Sequence, residues 1–90
     1  MDNNQIALSS LAMDLKRVAL GYHRGSIEMA NRFLEEALKR KEEIKTNSIP
    51  LYVKNILTKL QSLSLEDKQK AAEDALLFST LIQNAVLERK

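Results

Sequence analysis

No cysteine occurs in this 90-residue chain. A disulfide framework, a zinc ribbon, an iron–sulfur site and a thiol nucleophile are therefore excluded. With a single histidine, His23, no metal site and no cofactor is expected. Tryptophan is also missing, and the aromatics are two Tyr and two Phe, thin material for stacking on bases. Proline appears once and glycine twice, while Leu, Ala, Glu and Lys are plentiful. That balance belongs to an all-helical domain. No apolar run approaches the roughly 20 residues needed to cross a bilayer. The longest, "ALLFSTLIQNAVL", is interrupted by Ser79, Thr80, Gln83 and Asn84. "MDNNQIALSS" has no basic stretch ahead of an apolar core, so no secretory signal is expected. A cytoplasmic protein without a membrane partner is the expectation.

Charge of one sign is scarce as well. Fourteen basic residues face twelve acidic ones, a net charge of +2. Lys39, Arg40 and Lys41 are consecutive and so diverge on a helix, with carboxylates on either side. Phosphate-backbone binding needs cations gathered on one surface, so nucleic acid is not an expected partner. The spacing predicts a solvated face with Glu28–Arg32, Glu35–Lys39, Glu36–Arg40 and Lys39–Glu43 paired one turn apart. Adjacent acids such as Glu35/Glu36 and Glu66/Asp67 also diverge, and no Glu-x-x-His motif exists. A di-metal carboxylate bundle is thereby excluded. No phosphate-cradling glycine loop and no G-x-S-x-G elbow are present.

What is present is helical periodicity along one domain. Leu8, Leu11, Leu15, Val18 and Tyr22 draw one stripe, predicting a helix over about 4–23, with Asp2, Asn3 or Asn4 as its cap. Ile27, Ala30, Leu34, Ala37 and Ile44 draw a second, widened by Phe33 and Leu38, predicting a helix over about 27–46 with Asn47 beyond its end. The two stripes are offset by roughly 80° about a common axis. Gly25 suits a left-handed stop and Ser26 suits a start, so the chain should turn there. One long rod through Gly21 and Gly25 would cost about 1 kcal/mol per glycine. Pro50 suits a first helical turn, capped by Ser48 or Ile49. Leu51, Val53, Ile56, Leu57, Leu60 and Leu63 then predict a helix over about 50–62. Ser64, followed by Glu66 and Asp67, predicts the start of a fourth helix over about 65–88, with Ala72, Ala75, Leu76, Ser79, Ile82 and Val86 inward. Met13 and Met29 read as core filler. Short connections force neighbours antiparallel, so the expected fold is an all-α, antiparallel up-and-down four-helix bundle.

The fourth helix is unusual in being apolar on nearly every side from Ala75 to Leu87. Such a helix either holds a central, broadly buried position in the bundle or packs in part against another chain. Leu77, Phe78, Leu81 and Leu87 are accordingly the predicted partner-binding residues. A homo-oligomer, most simply a two-fold dimer through this helix, or a protein partner is expected.

The chemistry-bearing candidates converge on "LGYHRGSIEMANR", Leu20 to Arg32. "HRGS" loosely resembles the motif of histidine phosphotransfer domains, His-x-x-Lys-Gly followed by small residues. That resemblance implies a four-helix bundle in which His23 takes the phosphoryl group, Arg24 balances its charge and Gly25 gives a partner room. Ser26 stands where the family has lysine and Ile27 where it has glycine. "RVALGYH" is similar to the Arg-to-His spacing of HEPN-type ribonuclease domains, implying that Arg17 and His23 cleave RNA together. On a straight helix those two side chains point about 120° apart. Capping supplies a plainer account of the same residues: cations in a last turn satisfy free carbonyls and the helix dipole. No catalytic residue is assigned on these grounds, and Arg17, His23 and Arg24 stand as candidates. The expected function is a non-enzymatic protein-interaction or regulatory module.

Overall fold

The computed structural model describes residues 3–88, so Asp2, one of the proposed caps, lies outside the described residues. The fold is an all-α, antiparallel up-and-down four-helix bundle, as expected. Its helices are α1 (Asn3–His23), α2 (Ile27–Lys41), α3 (Leu51–Lys59) and α4 (Lys68–Glu88). Two short 3₁₀ segments, Thr46–Ser48 and Leu60–Leu65, flank α3.

Helix α1 is the spine. It packs along its length against both α2 and α4. Its whole predicted stripe is buried, and Asn4, Ala7, Ala12, Asp14, Ala19 and Gly21 are buried beside it. The antiparallel sense is visible at both ends. Asn4 of α1 bonds the segment after α2, and Tyr22 lies in the electrostatic field of Glu66 just before α4. Midway, the Ser79 hydroxyl donates to the Ala12 carbonyl at 2.7 Å, a buried hydrogen bond that pins the register of α4 on α1.

The turn between α1 and α2 follows the expected chemistry. Gly25 has φ +74°, the left-handed stop. The Ser26 N–H donates to the Gly21 carbonyl (2.8 Å) and the Gly25 N–H to the Tyr22 carbonyl (3.1 Å), a Schellman closure. Ser26 then caps α2, its Oγ accepting from the Met29 N–H at 3.2 Å.

The other boundaries differ from expectation, each for a local reason. Helix α2 stops at Lys41 rather than 46. The N–H groups of Glu42, Glu43 and Ile44 donate three residues back, tightening the turn and swinging Ile44 into the core. Asn47 sits inside a 3₁₀ segment and is not a stop residue. Asn4 is not a cap. Its side chain clamps this connection, with Nδ2 donating to the Lys45 carbonyl (3.0 Å) and to Ser48 Oγ (2.8 Å), and Oδ1 accepting from the Lys45 N–H (2.7 Å). Pro50 itself occupies the cap position of α3, where its carbonyl accepts from Val53 and Lys54. Helix α3 ends at Lys59 and continues as 3₁₀. A repeat of three keeps Leu60 and Leu63 on one buried side and leaves Leu65 exposed. Leu51, expected inward, is exposed. Because the 3₁₀ segment runs through Leu65, α4 starts three residues late, and its cap is Asp67, not Ser64. Asp67 Oδ1 accepts from the Lys70 N–H at 2.9 Å and adds a favourable charge at the helix start.

Candidate functional site

The Leu20–Arg32 corner brings no reactive cluster together. His23 ends α1 and is exposed, with Arg24 and Gly25 exposed in the turn that follows. His23 is the last residue of α1 and so stands at a helix end. Arg17 is six residues, about 1.7 turns, away and differently engaged. Its guanidinium lies 3.8 Å from Asp14 Oδ1 and 5.5 Å from the centre of the Phe33 ring on α2. Gly21 does not serve the turn as a flexible link. It is buried within α1, and a Cβ built there would meet the Ala30 backbone N at 2.7 Å and Cα at 2.9 Å. The glycine is what allows α1 and α2 to approach so closely beside the corner.

A polar seam between α1 and α2 was not anticipated from the sequence. Asp14 lies on the buried side of α1, three residues from both Leu11 and Arg17. Burial pushes its carboxyl above the ordinary value near 3.8; Arg40 and Arg17 pull it back and Glu36 pushes it further up. Asp14 Oδ2 and Arg40 Nε are both buried without a hydrogen-bond partner. On the rest of α2 the surface pairs are Glu36–Lys39 (4.0 Å) and Arg40–Glu43 (3.1 Å), three residues apart rather than the four expected. At the start of α4, Lys70 bridges Glu66 (3.5 Å) and Asp74 (3.2 Å). Among the described residues no group of three metal-ligating side chains converges.

The predicted partner-binding residues divide into two sets. Leu77 and Leu87 stand 53% and 61% exposed on α4. Phe78 is 8% exposed and belongs to the core, and Leu81 is half-buried against it. Leu76, expected inward, is 45% exposed, and Met13, expected in the core, is 53% exposed. These two line a surface groove of about 310 Å³ between α1 and α4, together with Ala12, Lys16, Ser79, Thr80, Gln83 and Asn84. Two of its hydroxyls are already spent on backbone carbonyls, Ser79 on Ala12 and Thr80 on Leu76. The groove offers contact area with polar edges and no paired nucleophile and base.

Of the expected inward stripe of α4, Ala72, Ala75, Ser79, Ile82 and Val86 are buried, and Leu76 alone is exposed, at the edge of this groove. The buried residues of α4 are Ala71, Ala72, Ala75, Phe78, Ser79, Ile82, Ala85 and Val86. Small alanines carry that face, while leucines lie outside it. A moment drawn by leucines alone points away from the core. No protein-family model matches the chain, and neither a curated protein nor a solved structure is significantly similar to it. No helix among the described residues is long and apolar enough to cross a membrane.

Proposed function

We propose that this chain is a small non-enzymatic interaction module that works by self-association, with the exposed side of α4 as its docking surface. The observation that carries the reading is the placement of Leu76, Leu77 and Leu87 in solvent on a helix whose other side already closes a core. A lone exposed leucine is ordinary, but Leu76 shares a groove with the exposed Met13, and Leu77 and Leu87 add apolar surface to the same helix that a partner would bury. The candidate acid–base residues favour the same view. Arg17 is engaged by Asp14 and Phe33, and His23 stands at a helix end six positions away. A single dimer interface also accounts for a helix that reads as apolar all round.

Light scattering across a concentration series tests the reading. A mass near twice the chain's 10.2 kDa is expected for the unmodified protein. The double variant Leu77→Asp/Leu87→Asp should return it to one chain while leaving the far-UV circular dichroism melt in place, because both positions are exposed. Leu81→Asp is unsuited to this test, since its half-buried side chain also supports the core. A monodisperse monomer at every concentration refutes self-association.

A further inference from the structure

We propose that the opening between α2 and α3 is a binding site for a small amphipathic carboxylate. Sequential helices of an antiparallel bundle ordinarily close on each other. Here α2 packs along α1, and α3 rests on α4 and on the 3₁₀ segment that follows it, while α2 and α3 barely meet. The gap left between the end of α2 and the body of α3 has a volume of about 360 Å³. Ile44 and Leu57, both members of the core, form its floor. At about 30 Å³ for each water-sized group, the gap has room for about a dozen, the size of a straight-chain carboxylate of about eight to ten carbons.

Charge selects the head group. Lys41, the last residue of α2, and Lys54 of α3 both line the gap, and both are half-buried. A half-buried lysine lays its methylene stem on apolar surface and keeps its ammonium in water. Lys39 and Lys70 have carboxylate partners, but neither Lys41 nor Lys54 belongs to an ion pair among the described residues. Two unpaired cations lining one gap repel each other, and an anion held between them replaces that repulsion with attraction. Glu42 is the one acid of the lining and is exposed. Two lysines and one glutamate leave a net charge of +1, which matches a single carboxylate and not a phosphate dianion. The threonines of the lining differ in what they can offer. Thr58 Oγ1 donates to the Asn55 carbonyl at 2.7 Å, whereas the Thr46 hydroxyl makes no hydrogen bond and can donate to the ligand. The groove between α1 and α4 has one cation, Lys16, and so lacks this pairing.

Titration of sodium octanoate into the isotope-labelled full chain, followed by amide chemical shifts at neutral pH, tests the site. Saturable shifts centred on Ile44, Thr46, Leu57 and Thr58 are expected, with a Kd on the order of 1 mM for so small a ligand. The double variant Lys41→Gln/Lys54→Gln should weaken binding about tenfold or more and leave the thermal melt unchanged. Lys16→Gln should bind as the unmodified chain does. Uncharged octanol should bind several-fold more weakly than octanoate, and octyl phosphate no more tightly. Shifts that are absent, that never saturate or that centre on Leu77 and Leu87 overturn the site. Full-strength binding by the double variant, or of octanol to the unmodified chain, overturns the role of the lysines. Tighter binding of octyl phosphate overturns the match to a single carboxylate. No α4 residue lines the gap, so these results stand apart from those that test self-association.

Discussion

Substitution of Gly21 by alanine separates two opposed effects. In an exposed helix interior, alanine is favoured over glycine by about 1 kcal/mol. At Gly21 the added Cβ would lie 2.7 Å from the Ala30 backbone N, 2.9 Å from its Cα and 3.1 Å from its Cβ. Ordinary contact begins near 3.4 Å, so α2 must retreat by several tenths of an ångström or more. The obstacle is backbone, so no side-chain rotation relieves it. Overpacking of this kind costs about 1–3 kcal/mol, and a rigid obstacle places it at the upper end. The shift also pulls on the Ser26 N–H to Gly21 carbonyl bond that closes the corner. After the propensity gain, a net loss of about 2 kcal/mol is expected. For a domain of this size that lowers Tm by roughly 8–16 °C. Thermal unfolding followed by circular dichroism measures it. Gly25→Ala is the internal control. It meets nothing within 4 Å, and its φ of +74° alone should cost about 1–2 kcal/mol. Gly25→Asn should recover part of that loss, because asparagine tolerates the left-handed region, whereas Gly21→Asn should be worse than Gly21→Ala. A Tm for Gly21→Ala at or above wild type would refute the close approach of α1 and α2.

Two other changes probe the remaining polar anchors. Asn4→Ala removes the clamp on the α2–α3 connection and strips the Lys45 N–H of its partner, so a loss of about 2–3 kcal/mol is expected in urea titration; an unchanged midpoint would show the clamp to be dispensable. The Asp14 carboxyl is pushed up by burial, so the folded state holds its proton more tightly than the unfolded chain. Its contribution to stability is therefore greatest below the ordinary value near 3.8 and is lost as pH rises through the raised folded value. Asp14→Asn should flatten that part of the stability–pH curve, and a curve identical to wild type across the acid range would contradict the assignment.

The corner at Leu20–Arg32 was legible because its chemistry is local. A left-handed glycine and a serine cap are backbone requirements that two adjacent residues meet alone, and the structure places Gly25 and Ser26 in those roles. Helix ends governed by distant partners were not legible. Asn4 reads as a cap, yet forty-one residues separate it from Lys45, whose backbone it holds. Asp67 outranked Ser64 only because Leu60 and Leu63 both bury by continuing as 3₁₀. Asp14 gave one readable signal, a charged residue among buried neighbours of α1, and its meaning rested on where Arg40 would fall.

Sequence alone determined the fold class, the number of helices and the turn at Gly25, since periodicity of 3.6 and capping depend on neighbours within one or two turns. It also excluded thiol chemistry through the absence of cysteine. Tertiary structure decided which residues at the edges of each inward stripe are buried. In α4 small alanines pack against α1 where the helices come close, and Leu76, Leu77 and Leu87 are left outside. It decided too that Gly21 is a contact rather than a hinge. Both depend on the distance between helix axes, which no single helix encodes.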